Sequence, residues 1–168
     1  AVSSASILNK SVITKIESEM KDLKIRKAIK DDASLILKFI TELAIYEKAE
    51  HEVKTSEADI EKSIFNENST VEALICEFNN EPVGFAVYFF NYSTWLGKSG
   101  LFLEDLYVST ASRGVGAGKA LLKHLAGIAV EKDCGRFEWN VLDWNEPAIK
   151  FYQSIGANPQ DEWIGYRM

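Results

Sequence analysis

Residues 23–29, LKIRKAI, alternate apolar and polar positions with the period of a half-buried strand. The period then changes. After Asp31 and Asp32, which read as helix N-caps, Leu35, Ile36, Phe39, Ile40, Leu43 and Ala44 fall on one stripe at helical spacing, and this predicts a helix ending near Tyr46 and Glu47. A shorter helix is predicted over 57–65, capped by Thr55 or Ser56, with Ile60 and Ile64 on one face. Two apolar, β-branched and aromatic runs, 71–78 and 83–92, are separated by Asn79-Asn80-Glu81-Pro82 and read as an antiparallel hairpin. Another strand is predicted over 101–108. Three glycines follow, then a helix starting near Lys119 with Leu121, Leu122, Leu125 and Ile128 inward and a C-cap at Gly135. The pattern closes with a strand over 137–142, a helix over 145–154 with Pro147 in its first turn, and strand-like residues 163–168. Strands in series with interspersed helices predict an α/β (α+β) domain. Residues 1–22 stand apart as an N-terminal extension, either a remnant of expression cloning or a flexible segment, and 23–168 form the domain.

Composition narrows the function classes. A chain of 168 residues can bury a core without disulfides or a structural metal. Its net charge of -6, with no clustered Lys and Arg, disfavours a nucleic-acid partner and is compatible with a cationic small substrate. Cys76 and Cys134 have neither disulfide nor zinc spacing, and His51 and His124 are far apart, so no metal is expected. No apolar run reaches the length of a membrane span and no secretory pattern opens the chain, which leads us to expect a cytoplasmic protein.

The chemistry concentrates at Arg113-Gly114-Val115-Gly116-Ala117-Gly118. A glycine-rich turn between a strand and a helix lets backbone N–H groups converge where the helix N-terminus adds positive potential, which makes an anion site. The alternative is a simple strand-to-helix connection. Spacing excludes the nucleotide P-loop, since G-x-x-x-x-G-K-[ST] is absent, and the dinucleotide fingerprint, since the glycines run G-x-G-x-G.

This stretch resembles the R/Q-x-x-G-x-G/A pyrophosphate loop of the GNAT acetyltransferases. The run Trp144-Asn145-Glu146-Pro147-Ala148-Ile149-Lys150-Phe151-Tyr152, followed by Gly156-Ala157, is similar to the family's second motif. Tyr46-Glu47, 84–88, Leu103-Glu104-Asp105 and Trp144-Asn145-Glu146-Pro147 are similar to the spermidine/spermine and thialysine N-acetyltransferase branch. The resemblance implies a GNAT fold, with a central mixed, mostly antiparallel sheet flanked by helices. It implies acetyl-CoA as cosubstrate, held by Leu106, Tyr107, Val108, Arg113, Gly114, Val115, Gly116, Ala117, Gly118, Lys119, Asn145, Ala148 and Tyr152. It also implies a primary amine of a small polyamine, diamine or lysine-like amino acid as acceptor, lined by Tyr46, Glu47, Glu104, Asn140 and Glu162, and a homodimer.

An alkylammonium with a pKa near 10.4 must lose a proton before it attacks, and the departing thiolate must gain one. By resemblance Glu104 is the base, acting directly or through water, and Tyr152 the general acid. Glu104 as an ordinary ion-paired strand carboxylate and Tyr152 as a packed helix residue are the bland alternatives. The polyamine enzymes carry an Asp at the place of Ser93, which leaves the acceptor broadly defined. Acetylation of a protein N-terminus or lysine, and a non-catalytic acyl-CoA sensor, are the competing functions.

Overall fold

The computed structural model describes residues 22–168; the extension expected over 1–22 lies outside the described residues except for Asp22. The chain divides into two compact units, Ala1–Glu138 and Trp139–Met168.

In the first unit, β1 (Leu23–Lys27), β2 (Val71–Phe78), β3 (Glu81–Ser93) and β4 (Lys98–Val108) pair antiparallel in chain order, and β5 (Arg136–Trp139) lies beside β4. Asn79 and Asn80 turn the β2–β3 hairpin, both with positive φ, a conformation that Asn tolerates better than most side chains. One face of the sheet presents Ala73, Ile75, Phe85, Val87 and Tyr107 to α1 (Ala33–Tyr46) and α2 (Glu57–Ile64), which contribute Ala33, Ile36, Phe39 and Ile60 to the same core. The rings of Phe39 and Phe85 stack 5.5 Å apart. On the opposite face Leu74, Cys76, Ala86, Tyr88, Leu101 and Leu103 are buried, as are Leu121, Leu122 and Leu125 of α3 (Ala117–Glu131).

Ser56 caps α2 in a capping box: its hydroxyl accepts from the Asp59 N–H at 3.2 Å while the Asp59 carboxylate accepts from the Ser56 N–H at 3.0 Å. Asp32 acts differently from the cap expected of it. Its carboxylate accepts from the Ile29 N–H at 2.8 Å and takes both arms of the Arg26 guanidinium, at 2.7 and 2.9 Å. Arg26 also donates to Glu77 at 2.7 Å and so ties β1, β2 and the start of α1 together. Hydrogen bonding to Arg26 holds the Asp32 carboxyl below the usual carboxylate range.

Three expected boundaries are corrected. Helix α3 ends at Glu131 and its reversal falls on Asp133, at φ 52°; Gly135 is no C-cap, and an added Cβ there would lie 2.8 Å from Leu96 Cδ1, the movable end of an exposed side chain. Strand β5 stops at Trp139, short of the expected 142, because Val141 and Leu142 are exposed and have no apolar face to cover. Residues 163–168 form no strand, and Trp163, Ile164 and Tyr166 are largely exposed.

In the second unit α4 (Glu146–Ser154) starts as expected: Asn145 is a buried N-cap whose side chain accepts from the Ala148 N–H at 3.4 Å, with Pro147 in the first turn. No helix among the described residues is long and apolar enough to cross a membrane.

Candidate active site

Strand β4 carries the site because its register breaks. Tyr88 opposes Leu103 and Val87 opposes Asp105, so Glu104 has no partner on β3. This is a β-bulge, one residue too many on one strand, which re-aims every side chain beyond it. Leu101 and Leu103 belong to the α3 face. Strict alternation would send Asp105 and Tyr107 there too; after the bulge Leu106 and Val108 take that face, and Asp105 and Tyr107 turn toward α1. Glu104 itself is exposed.

Asp105 is half-buried, and burial followed by the negative charges of Glu104 and Glu47 pushes its carboxyl up to about 6. Glu47, at the end of α1, is pushed up by burial as well. None of these three carboxylates has a salt bridge or side-chain hydrogen bond to another described residue, although ten ion pairs involve other acidic groups. Three acidic groups without a cation beside them form a place where an ammonium ion would be welcome. Sequence reasoning named Glu47 and Glu104 and missed Asp105. The signal was present in the apolar positions 101, 103, 106 and 108, whose spacing of three in the middle of a strand marks a bulge.

Beyond β4, a short turn over Thr110–Ser112 leads to the glycine loop. Gly114 and Gly116 sit at φ 90° and 84°, with open space where a Cβ would be, so backbone conformation and not crowding calls for glycine. Gly116 is the N-cap of α3 and has no side chain to cap it, which leaves the first-turn N–H groups of Ala117, Gly118 and Lys119 available to an anion. The exposed Arg113 stands at the mouth of this loop, its guanidinium carbon 4.7 Å from the centre of the Tyr46 ring. A phosphate-sized anion suits the exposed Arg113 and those N–H groups together.

The side chain of Tyr107 is committed to the core, and those of Leu106 and Val108 are half-buried on the α3 face. A Cβ added at Gly118 would lie 3.9 Å from Leu106 and from Val108, and Tyr107 packs 6.2 Å from Phe39 between ring centres. What this segment can offer a ligand is backbone. Val115 is half-buried in the loop. In the second unit, Tyr152 is half-buried with its ring 5.0 Å from that of Trp139 and 5.6 Å from that of Phe151; Ala148 sits in the first turn of α4, while Asn140 and Glu162 are exposed outside helix and strand. Ser93 is buried and its hydroxyl accepts from the Leu96 N–H at 3.3 Å, closing the β3–β4 turn.

Residues 37–157 match the family model described as Acetyltransferase (GNAT) family. The chain belongs to the GNAT acetyltransferases. It is 37% identical over 159 residues to a thialysine N-epsilon-acetyltransferase of Mus musculus, covering 88% of this chain and 93% of that one. A thialysine N-epsilon-acetyltransferase of Sus scrofa is 38% identical over 155 residues, covering 88% and 91%. Among solved structures, an integron cassette protein from the mobile metagenome of V. cholerae superimposes with a TM-score of 0.74 at 30% identity, covering 88% of this chain and 92% of that one. This GNAT protein is therefore an N-acetyltransferase by family, and GNAT enzymes use acetyl-CoA as cosubstrate. The expected fold holds: a five-stranded, mostly antiparallel sheet flanked by helices.

Proposed function

We propose that this GNAT enzyme transfers the acetyl group of acetyl-CoA to a primary amine of a small polyamine, diamine or lysine-like amino acid. One observation carries the choice of acceptor: Asp105 is turned by the bulge toward α1, where it meets the charges of Glu47 and Glu104, and none of the three carboxylates forms a salt bridge among the described residues. The similarity to thialysine acetyltransferases supports it, since a lysine analogue brings an ammonium group.

Acetyl-CoA, when bound, supplies the activated acyl group. The loop of Arg113, Gly114 and Gly116 and the first turn of α3 bind its pyrophosphate, with Val115, Ala117, Gly118 and Lys119 completing the turn. The backbone of 106–108 orients the remainder, and the family resemblance assigns Asn145 and Ala148 to the same cosubstrate. Glu47 and Asp105 attract the acceptor ammonium, and Glu104 removes its proton, directly or through water, so that the neutral amine attacks the thioester carbon. The family resemblance assigns Asn140 and Glu162 to the acceptor as well. The phenol of Tyr152 then protonates the departing sulfur. The enzyme works in the cytoplasm as a homodimer in this reading.

Acetyl-CoA-dependent thiol release, screened against spermidine, short diamines, thialysine and short peptides, tests the proposal. Turnover is expected with the small amines. Tyr152→Phe should lower kcat by about 100-fold or more with little change in CoA affinity, and Glu104→Gln should likewise lower kcat for the small amines more than it weakens CoA. Turnover confined to peptides, or binding of CoA without turnover of any amine, would overturn it.

A further inference from the structure

Helix α1 grips the segment that follows β4 at two consecutive turns. Glu42 accepts from the Ser109 hydroxyl at 3.3 Å, and it pairs with Lys38 at 3.9 Å. One turn further along the same helix face, Tyr46 places its ring under the Arg113 guanidinium, 4.7 Å from ring centre to carbon. The two contacts bracket the turn over Thr110–Ser112 and set the direction in which the chain enters the glycine loop. Arg113 is exposed and follows a short turn, so without such a contact its side chain would spread over many rotamers and lose entropy on meeting a phosphate.

We infer that Tyr46 is a positioning residue for acetyl-CoA: its aromatic face holds the Arg113 guanidinium ready for the pyrophosphate. This rests on the pyrophosphate reading of the loop given above. It assigns the ring of Tyr46 to the cosubstrate and leaves Glu47, the next residue, to face Asp105. The end of α1 therefore serves both ligands with adjacent side chains, the aromatic toward the phosphate loop and the carboxylate toward the amine.

Titration calorimetry of the full chain with CoA tests this. Tyr46→Leu is expected to weaken CoA about two- to fivefold, the range of an exposed cation–π contact, while Tyr46→Phe keeps the ring and stays within twofold of the wild type. Arg113→Ala should weaken CoA on its own, and Tyr46→Leu added to it should cost nothing more. A general loosening of the fold would instead add to the Arg113→Ala loss, so additivity overturns the inference. So does a Tyr46→Leu affinity equal to that of the wild type, or a Tyr46→Phe loss as large as that of Tyr46→Leu. If the wild type fails to bind CoA, the pyrophosphate reading falls and takes this inference with it. If the wild type binds and Arg113→Ala weakens CoA while Tyr46→Leu does not, only this inference falls.

Discussion

At the scale of single residues, Asp105 is held at a cost to the fold. A carboxyl with a pKa of about 6 in the folded chain and about 3.9 in an unfolded one binds its proton more tightly when folded. Its contribution to stability is therefore fully present below about pH 4 and is lost as pH rises through about 6. Asp105→Asn keeps the shape and removes the charge. The variant should melt about 2–6 °C above the wild type at pH 7.5 and show no such gain at pH 4. Thermal melts at the two pH values check this; an equal gain at both would mean that packing, not charge, sets the effect. Amine turnover should fall in the same variant, the usual trade between stability and a charged site. Cys76 shows the opposite case of a buried group: burial pushes its thiol up to about 11, so it stays protonated and inert inside the sheet.

At the scale of elements, the pairing of β3 with β4 fixes where the glycine loop begins. Gly84 opposes Val108, and an added Cβ would lie 2.6 Å from the Tyr107 carbonyl oxygen, which is backbone and cannot rotate away. Gly84→Ala should force the strands apart and destabilise the protein by about 1–3 kcal/mol, with CoA affinity falling as well, because β4 feeds the loop. Urea unfolding followed by calorimetry reads both effects. Most elements of the first unit were legible in the sequence, because each buries one face and so writes its own period: strands β2 to β4, the stripe of Ile36 and Phe39 on α1, and Leu121, Leu122 and Leu125 on α3. The cap of α2 was narrowed to Thr55 or Ser56, and geometry selects Ser56. Misread elements were those whose apolar residues stay exposed, as at Val141, Leu142, Trp163 and Ile164, where composition alone imitates a strand. Gly135 misled for another reason: the left-handed residue that ends α3 is Asp133, two positions earlier.

For the molecule as a whole, the net charge of -6 acts on two ligands of opposite sign. A cationic acceptor is drawn by the general field and by Asp105 and its neighbours, and both attractions weaken as salt shortens the Debye length from about 20 Å to about 6 Å. The KM for a diamine should accordingly rise about two- to fivefold between roughly 20 mM and 300 mM salt in steady-state assays. An acceptor KM that stays flat over that range would show that shape, not charge, selects the amine. The family and its loop were readable from spacing because the chemistry of an anion site dictates glycines in a fixed local order. The acidic group around Asp105 was only partly readable, since it depends on which face of the sheet a side chain reaches, and one unpaired residue decides that. Parity along β4 has a further consequence. Losing Glu104 would remove the bulge and leave Leu103 opposite Tyr88 and Asp105 opposite Val87 in unbroken alternation, so every later side chain would keep its face. At the bulge the strand can therefore shed a residue without disturbing either face, and what the shorter strand would lack is the Glu104 carboxylate.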